Sequence, residues 1–230
     1  MAPPPTTVRT EQPAAADCRV LGLRERKKQR TRDALVAAAH ALFLGQGFAR
    51  TTVDEIAARV DVSQRTFFRY FGSKEEVALA VLADAEDHFV DRLRRRPPEE
   101  TPLEAMRAAI TETWDGLGRD AGSGPHGVQA ALELIDLIES TPVLLAAHLR
   151  RTIEQEGVVT AVLAEREGLD PRTDLRPRVL AAAFGAVVRV SHLSWTSDTA
   201  AHEAGPSGMI ATIERHCDQL GPALAGSWRG

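Results

Sequence analysis

The sequence predicts an all-α protein in which a three-helix helix-turn-helix domain at the N-terminus precedes a larger helical domain. Hydrophobic residues make up 43% of the 230 residues and aromatic residues only 5%, and the abundance of Ala and Leu favours helices. No run of alternating β-branched residues bounded by turn residues occurs, so a sheet is not expected. Apolar residues instead recur at helical spacing between capping and breaking signals.

The N-terminal part of the chain is basic and the rest is acidic. Residues 19–74 hold 12 Lys or Arg and 5 Asp or Glu, whereas residues 75–230 hold 15 and 25. The formal net charge of −4 hides this asymmetry, which indicates that the first part contacts nucleic acid. Residues 1–20 contain four prolines and are predicted to be a disordered tail.

The first helix is predicted over roughly residues 30–44, and the glycines at 45 and 47 end it. The stretch before it, residues 23–32, is strongly basic. We expect this stretch, with Lys28 and Arg30, to lie along DNA phosphates or to enter a minor groove. The alternative is a charged stretch that is only solvated. Phe48 follows the helix and is expected to fill the core of the N-terminal domain.

Two short helices joined by a tight turn are predicted over residues 52–71. Thr52 and Glu55 have the spacing of a capping box, so residue 52 should begin the first of them. Residues 61 and 62 are too few for a loop and should form a turn, after which Ser63 can cap the second helix. Phe67 and Phe71 are four residues apart and define the buried side of that helix.

The other side of the second helix carries polar and basic residues, which suit the major groove of DNA. Arginine can bond guanine edges in bidentate fashion and glutamine can do the same with adenine. Lys74 lies in the first turn of the next helix, where free N–H groups favour a phosphate. The predicted DNA-binding residues are Lys28, Arg30, Thr52, Ser63, Gln64, Arg65, Thr66, Phe68, Arg69, Tyr70 and Lys74.

These motifs resemble the N-terminal signature of TetR-type (tetracycline-repressor-like) bacterial regulators. The run VSQRTFFRYFGSKEEV follows TTVDEIAARVD and is preceded by ALFLGQGF, so the resemblance spans roughly residues 24–82. Asp61 and Arg65 stand where the family commonly has glycine, and Phe68 stands where it commonly has tyrosine. The role of that tyrosine is therefore not carried over, and Arg65 becomes the candidate for an added base or phosphate contact.

The resemblance implies a homodimer that binds a palindromic operator in double-stranded DNA and responds to an apolar or amphiphilic small molecule. It also implies about nine helices, with the DNA-binding domain at residues 21–74 and the effector and dimerisation domain at 75–225. Capping and breaking signals predict the later helices at residues 73–96, 101–117, 128–139, 141–166, 174–195 and 209–220. Polar loops are expected at 116–127 and 196–207.

Two sets of residues in the second domain are candidates for binding partners. Small residues at spacing three and four on one helix, together with an apolar stripe on the last helix, predict a dimer interface of Ala182, Ala186, Val190, Met209, Ile213 and Cys217. Packing within one chain is the alternative. The resemblance implies a small-molecule pocket in this domain. Side chains that bring a polar tip to an apolar helix face, with one large aromatic, are the candidates to line it, with plain packing as the alternative: Trp114, His148, Phe184, His192 and Trp195.

Several other functions are not supported by the sequence. No H-E-x-x-H, Cys/His zinc spacing, G-x-S-x-G elbow or phosphate-binding glycine loop occurs, so an enzyme, a metal site and a cofactor are not expected. Two unrelated cysteines imply no disulfide, and no signal peptide or bilayer-length apolar run is seen, so a cytoplasmic protein that does not enter membranes is expected. The alternative to a ligand-responsive repressor is a helical small-molecule or protein-binding module without specific DNA binding.

Overall fold

Ten α-helices make up the described part of the chain, residues 22–119 and 128–225 of the computed structural model, and these residues form no strand. The helices are α1 (Leu23–Gln46), α2 (Val53–Arg59), α3 (Gln64–Phe68), α4 (Lys74–Arg94), α5 (Pro102–Arg119), α6 (Val128–Ser140), α7 (Pro142–Glu167), α8 (Arg176–Ser197), α9 (Thr199–Glu203) and α10 (Pro206–Ala225). The all-α fold class is thereby confirmed, with one helix more than the nine predicted.

Four phenylalanines form the core of the N-terminal domain. Phe43 of α1 contacts Phe48 in the following turn at 5.0 Å between ring centroids, and Phe67 of α3 contacts Phe71 at 5.8 Å. All four are buried, which fixes α3 against α1 and α2. Their large apolar area stabilises a domain whose helices α2 and α3 are too short to be stable alone.

The turn between α2 and α3 uses a backbone conformation that is uncommon for a side chain other than glycine. Asp61 has φ 55°, in the left-handed region, and no other non-glycine residue in the described part of the chain has a positive φ. Asp tolerates this region better than most residues because its short polar side chain can bond locally. Position 61, one of the two at which TetR-type regulators commonly have glycine, therefore has a backbone conformation that favours glycine.

Helix α4 joins the two domains. It begins at the cap of Ser73, whose hydroxyl accepts the N–H of Glu76, and it packs on α1, α5 and α7. Arg32 of α1 donates two hydrogen bonds to Asp84 of α4, at 2.9 and 2.8 Å. This bidentate pair holds α1 against the middle of α4.

The second domain packs α5 to α10 around α4. Thr101 and Glu104 form a capping box at the start of α5, where capping signals predict a helix from residue 101. Gly168 ends α7 with φ 64°, the left-handed conformation common at helix C-termini. Gly208 lets α10 pass close to α9, because a Cβ at that position would lie 2.0 Å from the carbonyl oxygen of Ala201.

Helix boundaries differ from the predictions at several places. Helix α1 begins seven residues earlier because the basic residues 24–30 are good helix formers even without an apolar pattern. The loop predicted at 196–207 contains α9, whose N-terminus is capped by Asp198 through the N–H groups of Ala200 and Ala201. Helix α10 begins earlier than predicted and continues to residue 225, while α3 ends at residue 68. The predicted tail 1–20 and most of the loop 116–127 lie outside the described residues.

Candidate functional site

Helix α3 is held by its buried side and by its cap. Phe67 is fully buried, and the hydroxyl of Ser63 accepts the N–H of Thr66 at 3.1 Å. The hydroxyls of Ser63 and Thr66 also lie 3.0 Å apart. Both contacts fix the first turn of α3, so the side chains that leave its other face have a defined direction.

The outward side of α3 and the turn after it carry Gln64, Arg65, Phe68 and Arg69, all of which are exposed. Among the described residues, Arg65 forms no ion pair or hydrogen bond, whereas the guanidinium of Arg69 lies 5.3 Å from the ring centroid of Tyr70. Tyr70 and Thr66 are half-buried. Two arginines without a carboxylate partner on an exposed short helix can bond an anionic or hydrogen-bonding partner.

Phe68 is half exposed although it packs edge-on against Phe67, with ring centroids 5.4 Å apart. An exposed aromatic beside two arginines can contact an apolar group of a partner, such as the methyl of thymine.

Around α3, the remaining predicted residues fall into two groups. Lys28 and Arg30 are exposed on α1 and are available to phosphates. Thr52 uses its hydroxyl to accept the N–H of Glu55, so its first role is to cap α2.

Lys74 requires a correction because its ammonium group is used inside the protein. It donates to the carbonyl oxygens of Phe48 at 2.8 Å and Thr51 at 2.9 Å, and it lies 4.1 Å from the centroid of the Phe48 ring. The sequence places this lysine at a helix N-terminus but does not reveal that the turn after α1 comes within its reach. Its geometry supports a structural role, closing the turn between α1 and α2.

A largely apolar cavity lies between α4, α5, α7 and α8 and has a volume of about 150 Å³. Phe89 of α4 and Phe184 of α8 stack nearly parallel in its wall, with ring centroids 5.9 Å apart and an interplanar angle of 9°. Trp114 of α5 meets the His192 ring edge-on at 6.2 Å. The predicted pocket residues Trp114, His148, Phe184 and His192 all line this cavity.

The two histidines of the cavity are held in the neutral form. Burial lowers the pKa of His192 to about 3, with a further contribution from His148. Burial also lowers the pKa of His148, and the positive charges of Arg151 and Arg189 act in the same direction. Both imidazoles are therefore uncharged at neutral pH, so each offers one N–H donor and one bare nitrogen acceptor.

An ion pair at the cavity wall was not found from the sequence. Glu86 of α4 accepts a short hydrogen bond from Nε of Arg151 on α7. Burial raises the pKa of Glu86, and Arg151 opposes that rise. No local pattern signals the pair, because its members are 65 residues apart and only the packing of α4 on α7 brings them together.

Trp195 does not belong to the cavity, which corrects one of the predicted pocket residues. Its indole N–H donates to the carbonyl oxygen of Ala201 at 2.8 Å, and its ring lies 4.3 Å from that of His202. Trp195 therefore fixes α9 against α8. The short helix α9, which was not predicted, supplies both of these partners.

Half of the predicted dimer interface is core. Met209, Ile213 and Cys217 are almost fully buried within the chain, because α10 turns this stripe toward α8 and α5. Ala186 and Val190 of α8 are exposed, and Ala182 is half-buried. The large exposed apolar residues of α7 and α8 are Val143, Leu149, Ile153, Val158, Val179 and Val190.

No group of three or more metal-binding side chains forms among the described residues.

Two family models match the chain. The model described as bacterial regulatory proteins, tetR family, matches residues 35–81, and the model described as the MftR C-terminal domain matches residues 100–225.

Two curated relatives and one solved structure agree with these matches. The HTH-type transcriptional regulator TcmR of Streptomyces glaucescens is 43% identical over 212 residues, which are 90% of this chain and 90% of TcmR. The HTH-type transcriptional repressor NicS of Pseudomonas putida is 30% identical over 98 residues, 42% of this chain and 46% of NicS. The structure of SmeT in complex with triclosan has a TM-score of 0.57 at 20% identity and covers 85% of this chain and 91% of SmeT, which supports the fold.

Proposed function

Because this chain belongs to the TetR family of bacterial regulatory proteins, we propose that it is a homodimeric repressor that leaves its operator when a small molecule enters the cavity. Family members are DNA-binding transcriptional regulators rather than enzymes. The proposal depends on the geometry of α3: Phe67 is buried behind it, and Arg65 is exposed on its other side with no partner in the described part of the chain. A regulator of this kind works in the cytoplasm, where the DNA is.

The contacts with DNA divide into base-reading and phosphate-binding groups. Gln64, Arg65 and Arg69 would reach base edges in the major groove, with Phe68 against a thymine methyl. Lys28 and Arg30 of α1, with the hydroxyls of Thr66 and Tyr70, would position the protein on phosphates. Thr52 and Ser63 would support DNA binding by capping α2 and α3 and through their backbone groups. Lys74 would support it indirectly, by holding the turn between α1 and α2.

The second copy would pack on the exposed apolar face formed by α7 and α8. Over 18 residues α8 has a mean hydropathy of 1.3, apolar enough by composition to cross a bilayer, yet only 28% of that window is buried within the chain. Helix α8 also packs on both α7 and α10 and carries Arg178 and Arg189, so its exposed stripe suits a protein partner better than lipid. A two-fold dimer built on this face would read a palindromic operator with half-sites about one helical turn, ~34 Å, apart.

Helix α4 would carry the signal from the cavity to the DNA. Glu86 lies at the cavity wall and is bonded to Arg151 of α7, while Asp84, two residues earlier, is bonded to Arg32 of α1. A ligand that moves α4 against α7 therefore also moves α1. The ligand can shift this equilibrium only by its difference in affinity for the two arrangements, typically about 1–3 kcal/mol.

The experiment is a fluorescence anisotropy titration of the protein with DNA from beside its own gene and with shuffled DNA of the same composition. The wild type should prefer the first DNA by roughly 10³-fold or more. Arg65→Ala should reduce that preference by roughly tenfold or more, because a lost bidentate pair costs about 1–3 kcal/mol. Arg95→Ala, at an exposed arginine that caps the C-terminal end of α4, is the control and should leave both affinities unchanged. Equal affinity for both DNAs would favour the helical binding module without specific DNA binding.

A further inference from the structure

The two histidines of the cavity have no hydrogen-bond partner within residues 22–119 and 128–225. Nδ1 of His148 and Nε2 of His192 are enclosed without a partner, and among the described residues no side chain or backbone group bonds either ring. Both rings nevertheless keep some accessible surface and line the cavity. Two unpaired imidazoles in one apolar cavity are unusual, since the large majority of buried polar groups in proteins are bonded.

The surroundings of these histidines define what could bond them. The stacked rings of Phe89 and Phe184 and the indole of Trp114 offer flat apolar walls. A cavity of about 150 Å³ matches in size an apolar protein cavity that takes up benzene. The cavity volume therefore suits a compound built on one aromatic ring, and a larger compound would require the cavity walls to move apart.

The charged side chains at the cavity limit which polar groups a ligand can carry. The charged side chains that line the cavity are Glu86, Glu156 and Arg189, and Glu86 is already bonded to Arg151. An added carboxylate or ammonium group would lose most of its hydration in a largely apolar cavity, and the two neutral imidazoles offer it no countercharge. A hydroxyl, in contrast, both donates and accepts, so it can bond a neutral imidazole in either tautomer.

We propose that His148 and His192 select the effector, and that the effector is an uncharged ring compound carrying at least one hydroxyl group. This inference rests on the effector role of the cavity proposed above and adds the chemistry of the ligand. The free-energy cost of removing water from the two imidazoles is part of folding. A ligand hydroxyl therefore gains a hydrogen bond without displacing a protein partner. A ring compound of the same shape without a hydroxyl gains only the apolar contacts.

The test is isothermal titration of the full-length protein with three matched compounds: 4-ethylphenol, ethylbenzene and 4-ethylbenzoate. The wild type should bind 4-ethylphenol roughly tenfold more tightly than ethylbenzene, because the hydroxyl adds one net hydrogen bond. It should bind 4-ethylbenzoate most weakly. The double variant His148→Phe/His192→Phe should bring the affinities for 4-ethylphenol and ethylbenzene within about twofold of each other. The control His88→Phe, at an exposed position of α4, should keep the tenfold gap.

Two further measurements keep the result interpretable. The single variants His148→Gln and His192→Gln retain hydrogen-bonding groups and should keep a large part of the gap, and unchanged DNA affinity without ligand shows that each variant is folded. An unchanged gap in the folded double variant, a preference for the benzoate, or no binding of 4-ethylphenol would overturn the proposal.

The failure of this inference and the failure of the proposed function can be told apart by adding the same compounds to the protein–DNA complex and following DNA release by fluorescence anisotropy. If ethylbenzene releases the DNA but the gap does not depend on the histidines, only the selection by His148 and His192 is wrong. If 4-ethylphenol binds with the expected dependence on the histidines and DNA stays bound, the ligand-responsive release is wrong while the selection stands.

Discussion

Replacing Lys74 by methionine should destabilise the DNA-binding domain without removing a phosphate contact. The ammonium group of Lys74 donates to two carbonyl oxygens in the turn after α1, and the side chain is half-buried. Hydrogen bonds from a charged group contribute about 1.5–3 kcal/mol each. Because the side chain is partly exposed, the lower value applies, and the two bonds together stabilise the domain by about 3 kcal/mol. Methionine preserves the apolar stem over Phe48, so the loss measures the ammonium group.

The assay is native-state hydrogen exchange at the amides of α2 and α3, whose opening free energy should fall by about 3 kcal/mol in Lys74→Met. In the same variant, the slope of the DNA-binding constant against salt concentration, both as logarithms, should stay at the wild-type value. Lys28→Met is the matched control because Lys28 is exposed on α1: it should leave exchange unchanged and lower the slope by about one unit. If Lys74→Met instead keeps the exchange rates and lowers the slope, the internal role assigned to Lys74 is wrong.

Three further predictions concern the cavity, the cap of α2 and the dimer face. The folded protein holds the pKa of His192 at about 3 against an ordinary 6.5, so the unfolded chain binds more protons between these values and stability falls as the pH is lowered through them. Between pH 7 and pH 5 the free energy of unfolding should therefore fall by about 2 kcal/mol more in the wild type than in His192→Gln, as measured by urea unfolding. Thr52→Ala removes the cap of α2 and should cost about 1 kcal/mol, seen as a lower Tm, whereas the exposed Thr199→Ala should cost little. Ile153→Asp on the apolar face of α7 should raise the dimer dissociation constant by at least about tenfold in sedimentation, while Leu44→Asp on α1 leaves it unchanged; a dimer that persists in Ile153→Asp would exclude this face.

Capping signals made the N-terminal domain readable from the sequence. The hydroxyl of Thr52 and the carboxylate of Glu55 satisfy backbone groups three residues apart, so the sequence spacing alone describes the interaction. The same holds for Thr101 with Glu104, while at Ser73 the hydroxyl alone accepts the N–H three residues on. Phe67 and Phe71 follow a helical period, and the structure buries both.

Interactions between distant elements were not readable in this way. The stripe of Met209, Ile213 and Cys217 is apolar at helical spacing, but spacing does not say whether the facing surface belongs to the same chain or to a second copy. The structure assigns it to the same chain. Trp195 likewise carries a donor at an apolar face, and its partner, the carbonyl of Ala201, belongs to a helix that the sequence did not reveal.

Methylation protection tests most directly whether α3 lies in the major groove with Arg65 and Arg69 on guanine edges. Dimethyl sulfate methylates N7 of guanine, the atom that a bidentate arginine covers in the major groove. Bound protein should protect guanines in two half-sites about one helical turn apart, and Arg65→Ala or Arg69→Ala should expose specific ones while the DNA stays bound. If the wild type covers the operator in a backbone footprint but leaves every guanine N7 reactive, α3 does not read the major groove.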